Sequence, residues 1–120
     1  MSAQPHRRRL EVEKMGDVTI VCLSDRKILV EEHIQVIAEQ LLNLVKEMGE
    51  KKLLLNFRNV EYMSSAVLGM LVTLNKKIQA AGGNLVLCNI DPQIREVFEI
   101  TKLDKVFTIR GDEQDGLQTF

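Results

Sequence analysis

Two near-continuous apolar runs, Leu53-Leu54-Leu55-Asn56-Phe57 and Asn84-Leu85-Val86-Leu87-Cys88, restrict the fold of this chain more than any other feature. A strand without polar alternation offers no face to water, so it belongs inside a sheet covered on both sides. Between the two runs, Ser65 to Ala81 carries apolar residues at helical spacing and stops at Gly82-Gly83. Strand, helix, strand in that order predicts a mostly parallel sheet.

The remaining segments extend the same alternation. Leu10 to Glu13 and Val18 to Leu23, split by Met15-Gly16-Asp17, predict a hairpin and hence an antiparallel edge. Ile34, Ile37, Leu41, Leu44, Val45 and Met48 recur at three and four residues. Glu31 and Glu32 suit the first turn of that helix, and Gly49 the position just past its end. Asp91-Pro92 opens a short helix with Ile94, Val97 and Phe98 on one side. A last strand, Val106 to Ile109, precedes a polar end that begins a further helix. The expected fold is α/β, with a sheet of four to five strands and helices packed against it. Residues 1–9 form a basic tail and 10–120 one domain.

Composition narrows the functions. At 120 residues one domain can bury roughly two thirds of its unfolded surface. With 45% hydrophobic and 28% charged residues, disorder throughout is excluded. A net charge of -1, with both signs interleaved, argues against nucleic acid, and His6-Arg7-Arg8-Arg9 reads as a solvated tail. Cys22 and Cys88 sit inside apolar runs, which predicts buried reduced thiols and a reducing compartment. No run is long enough for a membrane span, so the expectation is a cytoplasmic protein that does not insert into membranes.

Ser64 and Ser65 stand where an apolar strand gives way to the helix. Serine is a preferred N-cap, and the unpaired amides and macrodipole of a helix start also tolerate an added phosphate. Val67, Leu68, Met70, Leu71, Val72, Leu74, Ile78 and Ala81 spread over roughly 200° of the helix, more than one core face needs. Val67 and Met70, the arc members nearest the serines, are expected either to meet a partner or to be covered by a neighbouring helix.

Catalysis fits poorly. A serine nucleophile needs a base within reach, and the two imidazoles, His6 and His33, are distant in sequence. There is no glycine-flanked nucleophile elbow, phosphate-cradling glycine loop or dinucleotide fingerprint, and no ligand set for a metal. Asp91, Glu96 and Glu99 read as a cap and a solvated helix face. No enzymatic activity, cofactor or metal is expected.

The stretch from Leu53 to Ile109 resembles the STAS domain, shared by bacterial anti-sigma factor antagonists and the cytosolic tails of sulfate-type anion transporters. The likeness rests on the strand Leu53 to Phe57, then Asn59-Val60-Glu61-Tyr62-Met63 leading into Ser64-Ser65-Ala66. It continues through Lys76 to Gly83 and Leu85 to Pro92, and on through Val97 to Thr101 and Leu103 to Phe107. In antagonists of that family the helix opens with Asp-Ser-Ser-Gly or Asp-Ser-Thr-Gly, and the serine after the Asp is phosphorylated by a kinase that is itself the anti-sigma factor. Carried over, Ser64 takes the Asp position, Ser65 the phosphoacceptor, Ala66 the next Ser or Thr and Val67 the Gly, while Met63 and Leu68-Gly69 match. Ser65 is the inherited acceptor, ahead of Ser64. The family's Gly-x-Leu-Asp turn after the second strand is replaced by Ser24-Asp25-Arg26-Lys27.

The resemblance implies an anti-sigma factor antagonist that binds an anti-sigma factor serine kinase and so releases a sigma factor. Phosphorylation switches binding off, and a serine phosphatase restores it. The implied partner face comprises Ser64, Ser65, Ala66, Val67, Met70, Asp25 and Arg26, and a homodimer stays open. Two other readings remain: an accessory STAS subunit of an anion or lipid transporter complex, and a small-ligand-sensing STAS module.

Overall fold

The computed structural model describes residues 9–120. The basic run His6-Arg7-Arg8 of the expected tail lies outside the described residues. Arg9 belongs to the folded body: its guanidinium lies 2.7 Å from Asp25 Oδ1, and its carbonyl accepts from the Ser24 N–H.

The expected alternation is realised as a five-stranded sheet in the order β1-β2-β4-β6-β7, with a separate pair β3-β5. Strands β1 (Leu10–Met15) and β2 (Val18–Leu23) form the antiparallel hairpin. Gly16, at φ +65°, supplies the left-handed residue its two-residue turn requires. Next come β3 (Lys27–Ile28), α1 (Glu31–Lys46), β4 (Lys52–Asn56), β5 (Tyr62–Met63) and α2 (Ser65–Ala80). The chain then forms β6 (Asn84–Cys88), α3 (Pro92–Ile100), a 3₁₀ turn (Leu103–Lys105), β7 (Thr108–Arg110) and α4 (Glu113–Leu117). β2, β4, β6 and β7 are mutually parallel.

The pleat sends Leu53, Leu55, Leu85 and Leu87 into a large core beneath α1, α2 and α3. Leu54, Val86 and Cys88 point to the other face, with Val18 and Ile20, where Leu117 and Phe120 cover them. This two-sided burial is why β4 and β6 have no polar alternation. Gly116 sits against Leu54, where a Cβ would come within 2.6 Å of Leu54 Cδ1.

Three expectations require correction. Met48 lies beyond α1 and is exposed, because the chain leaves the helix at Glu47 and turns through Gly49 at φ +68°. Val97 is exposed, since the nine-residue α3 buries only Ile94 and Phe98. The last strand starts at Thr108 rather than Val106. The 3₁₀ turn first delivers Phe107 to the core, edge-on to Phe98 at 5.8 Å between ring centroids, and leaves Val106 exposed.

Candidate functional site

The candidate site is the start of α2, and three contacts fix where that helix begins. At the end of β4, the Asn56 side chain accepts from the Arg58 N–H at 3.0 Å and from Asn89 Nδ2 at 3.1 Å, and donates to Glu113 Oε2 at 2.9 Å. β5 then pairs in parallel with β3, Lys27 opposite Tyr62 and Ile28 opposite Met63. The Ser64 N–H continues that ladder by donating to the Ile28 carbonyl at 3.0 Å.

The two serines part company here. Ser64 is the N-cap residue in extended conformation, φ -81° and ψ 164°, but its side chain makes no capping bond. Its Oγ is buried without a hydrogen-bond partner, which corrects both the capping role and its candidacy as a kinase acceptor. Ser65, the first residue of the helix, is exposed, as are Ala66 and Gly69. α2 has no acidic residue in its first turn, so nothing of its own offsets the positive end of the dipole.

Val67 is corrected too. Its side chain is fully buried in the core with Leu71, Leu74 and Ile78, and it cannot touch a partner. The wide apolar arc of α2 is explained by cover from both the sheet and α1. Its true margins are Met70 and Val72, each partly buried. Asp25 and Arg26 lie in the segment welded to β5: the Arg26 carbonyl accepts from the Glu61 and Tyr62 N–H groups. Asp25 is held by Arg9, and Arg26 Nε lies 3.0 Å from Glu61 Oε1. Glu61 precedes Ser64 by three residues, so Arg26 stands roughly 10 Å from the helix start at about 3.3 Å per residue.

Beside Ser65 a cleft of about 180 Å³ opens between the start of α2 and α3, lined by Tyr62, Met63, Leu68, Ile94 and Val97. Exposed Tyr62, Val97 and Ile100 leave apolar surface around this part of the molecule. Sequence reasoning missed this cleft. The available signal was Val97 with Ile100, two apolar residues on a short helix whose buried side is already filled by Ile94 and Phe98.

Other candidate groups are occupied structurally. Asp91 caps α3 by accepting from the Gln93 N–H at 2.9 Å, and Glu99 faces Arg95 at 3.6 Å. Cys22 and Cys88 are free and buried. Burial, with Glu113 and Asp112 adding to it, pushes the Cys88 thiol up to about 12, and burial also raises Cys22, so neither is a thiolate at neutral pH. Among the described residues, no three His, Cys, Asp or Glu side chains gather to hold a metal ion, and no helix is long and apolar enough to cross a membrane.

Comparison with known proteins accords with this architecture. The STAS domain model matches residues 9–116. BtrV of Bordetella bronchiseptica, provisionally named an anti-sigma factor antagonist, is 27% identical over 112 residues, 93% of this chain and 94% of its own. The anti-sigma-B factor antagonist of Bacillus subtilis is 30% identical over 83 residues, 69% of this chain and 74% of its own. The solved structure of an anti-sigma-factor antagonist (STAS) domain protein from Planctomyces limnophilus superposes with a TM-score of 0.78 at 23% identity, covering 92% of this chain and 96% of that one. The chain belongs to the STAS domain family.

Proposed function

We propose that this STAS domain is an anti-sigma factor antagonist whose docking surface is the exposed start of α2, and that phosphorylation of Ser65 switches docking off. The observation that carries the reading is the contrast between the serines. Ser65 is open to solvent at an uncapped helix start, while the hydroxyl of Ser64 is sealed. Relatives named as antagonists of anti-sigma factors supply the partner class.

In the unmodified chain Ser65, Ala66 and the partly buried Met70 offer a neutral patch, with Arg26 at its border. The anti-sigma factor, acting as a serine kinase, exchanges the Ser65 O–H for an O–P bond to the terminal phosphoryl group of a nucleoside triphosphate, releasing the diphosphate and a proton. The product carries about -1.5 to -2 charges. At the exposed helix start the dipole offsets this by about 0.3–1 kcal/mol, so the domain stays folded. At a dry interface the same charge costs several kcal/mol in desolvation and like-charge repulsion. A serine phosphatase restores the neutral patch.

The test is binding of the cognate kinase to the unmodified chain, Ser65→Ala and Ser65→Asp. The alanine variant is expected to bind constitutively and the aspartate variant to bind at least tenfold more weakly. If both bind like the unmodified chain, no switch operates at Ser65. A permanent transporter subunit would also lack stoichiometric Ser65 phosphate in mass spectra of the native protein.

A further inference from the structure

On the side of α2 away from the Ser65 cleft, an apolar groove of about 250 Å³ runs between α1 and α2, floored by Ile34, Ala38, Leu42, Met70 and Leu74. Each helix returns the chain between neighbouring parallel strands beneath the same face of the sheet, so α1 and α2 run side by side in one direction. Helical spacing fixes the charges at its two ends. Glu31, three residues before Ile34 and seven before Ala38, stands at the start. Lys46, four after Leu42, and Lys77, three after Leu74 and seven after Met70, stand at the finish. All three are exposed, and among the described residues none is in an ion pair.

We propose that this groove docks an amphipathic helix of a partner protein, antiparallel to α1 and α2. The helix has an acidic first turn over Lys46 and Lys77, an apolar stripe at i, i+3 or i+4 and i+7 along the floor, and a basic last turn over Glu31. The charge order follows from the groove, and it is also the order that the helix macrodipole favours within the incoming helix. Glu31 to Lys46 spans about 22 Å at 1.5 Å per residue, so the segment has about 15 residues. A second copy of this chain fits less well, although its own α1 carries the same charge order. A two-fold axis that makes the helices antiparallel lies across them in the plane of their layer. It stacks α1 on α1 and α2 on α2, which leaves both grooves facing each other unfilled. Met70 borders both this groove and the patch around Ser65, but the inference does not rest on Ser65 phosphorylation, and Ala38 and Leu42, which line the groove alone, tell the two surfaces apart.

The probe is a synthetic acetylated helix of this pattern, with glutamates first, a leucine stripe and lysines last, alongside a twin with the charged blocks exchanged. Both are titrated into the full chain labelled for methyl and amide NMR. Saturable shifts are expected at Ala38, Leu42 and Met70, with a nitroxide on the peptide's N-terminus broadening signals near Lys77 rather than Glu31. The twin is expected to bind about tenfold more weakly, the middle of the range for three exposed charge pairs together. The triple exchange Glu31→Lys, Lys46→Glu, Lys77→Glu should reverse that preference; circular dichroism checks that it stays folded. The proposal is overturned if no saturable shift occurs, if shifts centre on Tyr62 and Val97, or if both peptides bind equally. It is also overturned if the same methyls shift with protein concentration alone, which would make the occupant a second copy.

Discussion

Replacing Ser64 with alanine sets two physical effects against each other, and the structure decides the sign. A serine that caps a helix contributes about 0.5–2 kcal/mol, which alanine forfeits. Here the hydroxyl makes no capping bond, and its oxygen is buried without a partner. An unsatisfied buried polar atom costs the native state about 1–3 kcal/mol, and alanine removes that cost while keeping the Cβ. The backbone contacts survive the change, because the Ser64 N–H donates to Ile28 and the Ser64 carbonyl accepts from the Val67 N–H at 3.1 Å.

Ser64→Ala is therefore expected to leave stability unchanged or raise it by about 1 kcal/mol, taking the low end of the desolvation range for a residue only partly buried overall. Urea titration followed by circular dichroism reads this directly. With m near 1–3 kcal/mol/M, a gain of about 1 kcal/mol moves the midpoint upward by roughly 0.3–1 M. A loss of about 1 kcal/mol or more would refute the reasoning, because it would mean that the hydroxyl bonds to the helix amides or to a held water molecule.

Three further outcomes follow from the same geometry. Val67→Gly, which restores the residue that the family motif carries, is expected to destabilise by about 3–4 kcal/mol, combining lost burial of three carbons with the helix penalty of glycine. A urea midpoint within error of the parent would return Val67 to the surface. Gly69→Ala meets open space in an exposed helix interior, so it should stabilise by about 0.5–1 kcal/mol while weakening binding of an anti-sigma factor to the face it shares with Ser65. Calorimetry and a binding titration check the two halves. The Cys88 thiol titrates near 9.0 when unperturbed and about 12 in the folded chain, so above pH 9 unfolding releases its proton. Its contribution to stability is at its plateau below pH 9 and falls by up to about 1.4 kcal/mol per unit as pH rises towards 12; Cys88→Ala should reduce the slope in urea titrations across the range, leaving the part that Cys22, also raised by burial, contributes.

The elements that were legible in the sequence are those whose signal is local. β4 and β6 declared themselves by lacking alternation, α3 by Asp91-Pro92, and the hairpin by Gly16-Asp17. The pairing of β3 with β5 was not legible: two strands of two residues carry no periodicity, and they exist only because the Arg26 and Ile28 carbonyls receive the Glu61, Tyr62 and Ser64 N–H groups across more than thirty residues of chain. Val67 stayed open between a partner and a neighbouring helix for a related reason. An apolar arc on one helix shows that cover exists, but whether α1 or a partner provides it depends on the crossover packing, which the α2 sequence alone does not contain.

That illegible pair decides the geometry of the candidate site. Because the sheet ladder takes the Ser64 amide, the helix start is positioned by β3 and not by a side-chain cap. The position therefore tolerates serine where the family motif has aspartate: its anchoring bond is a backbone one that every residue except proline can make. The loss of aspartate thus leaves that anchoring bond in place and takes one negative charge away from the helix start. Without that carboxylate beside Ser65, a phosphate changes a neutral surface into an anionic one, so the charge contrast between the two states of the proposed switch comes from the modification itself.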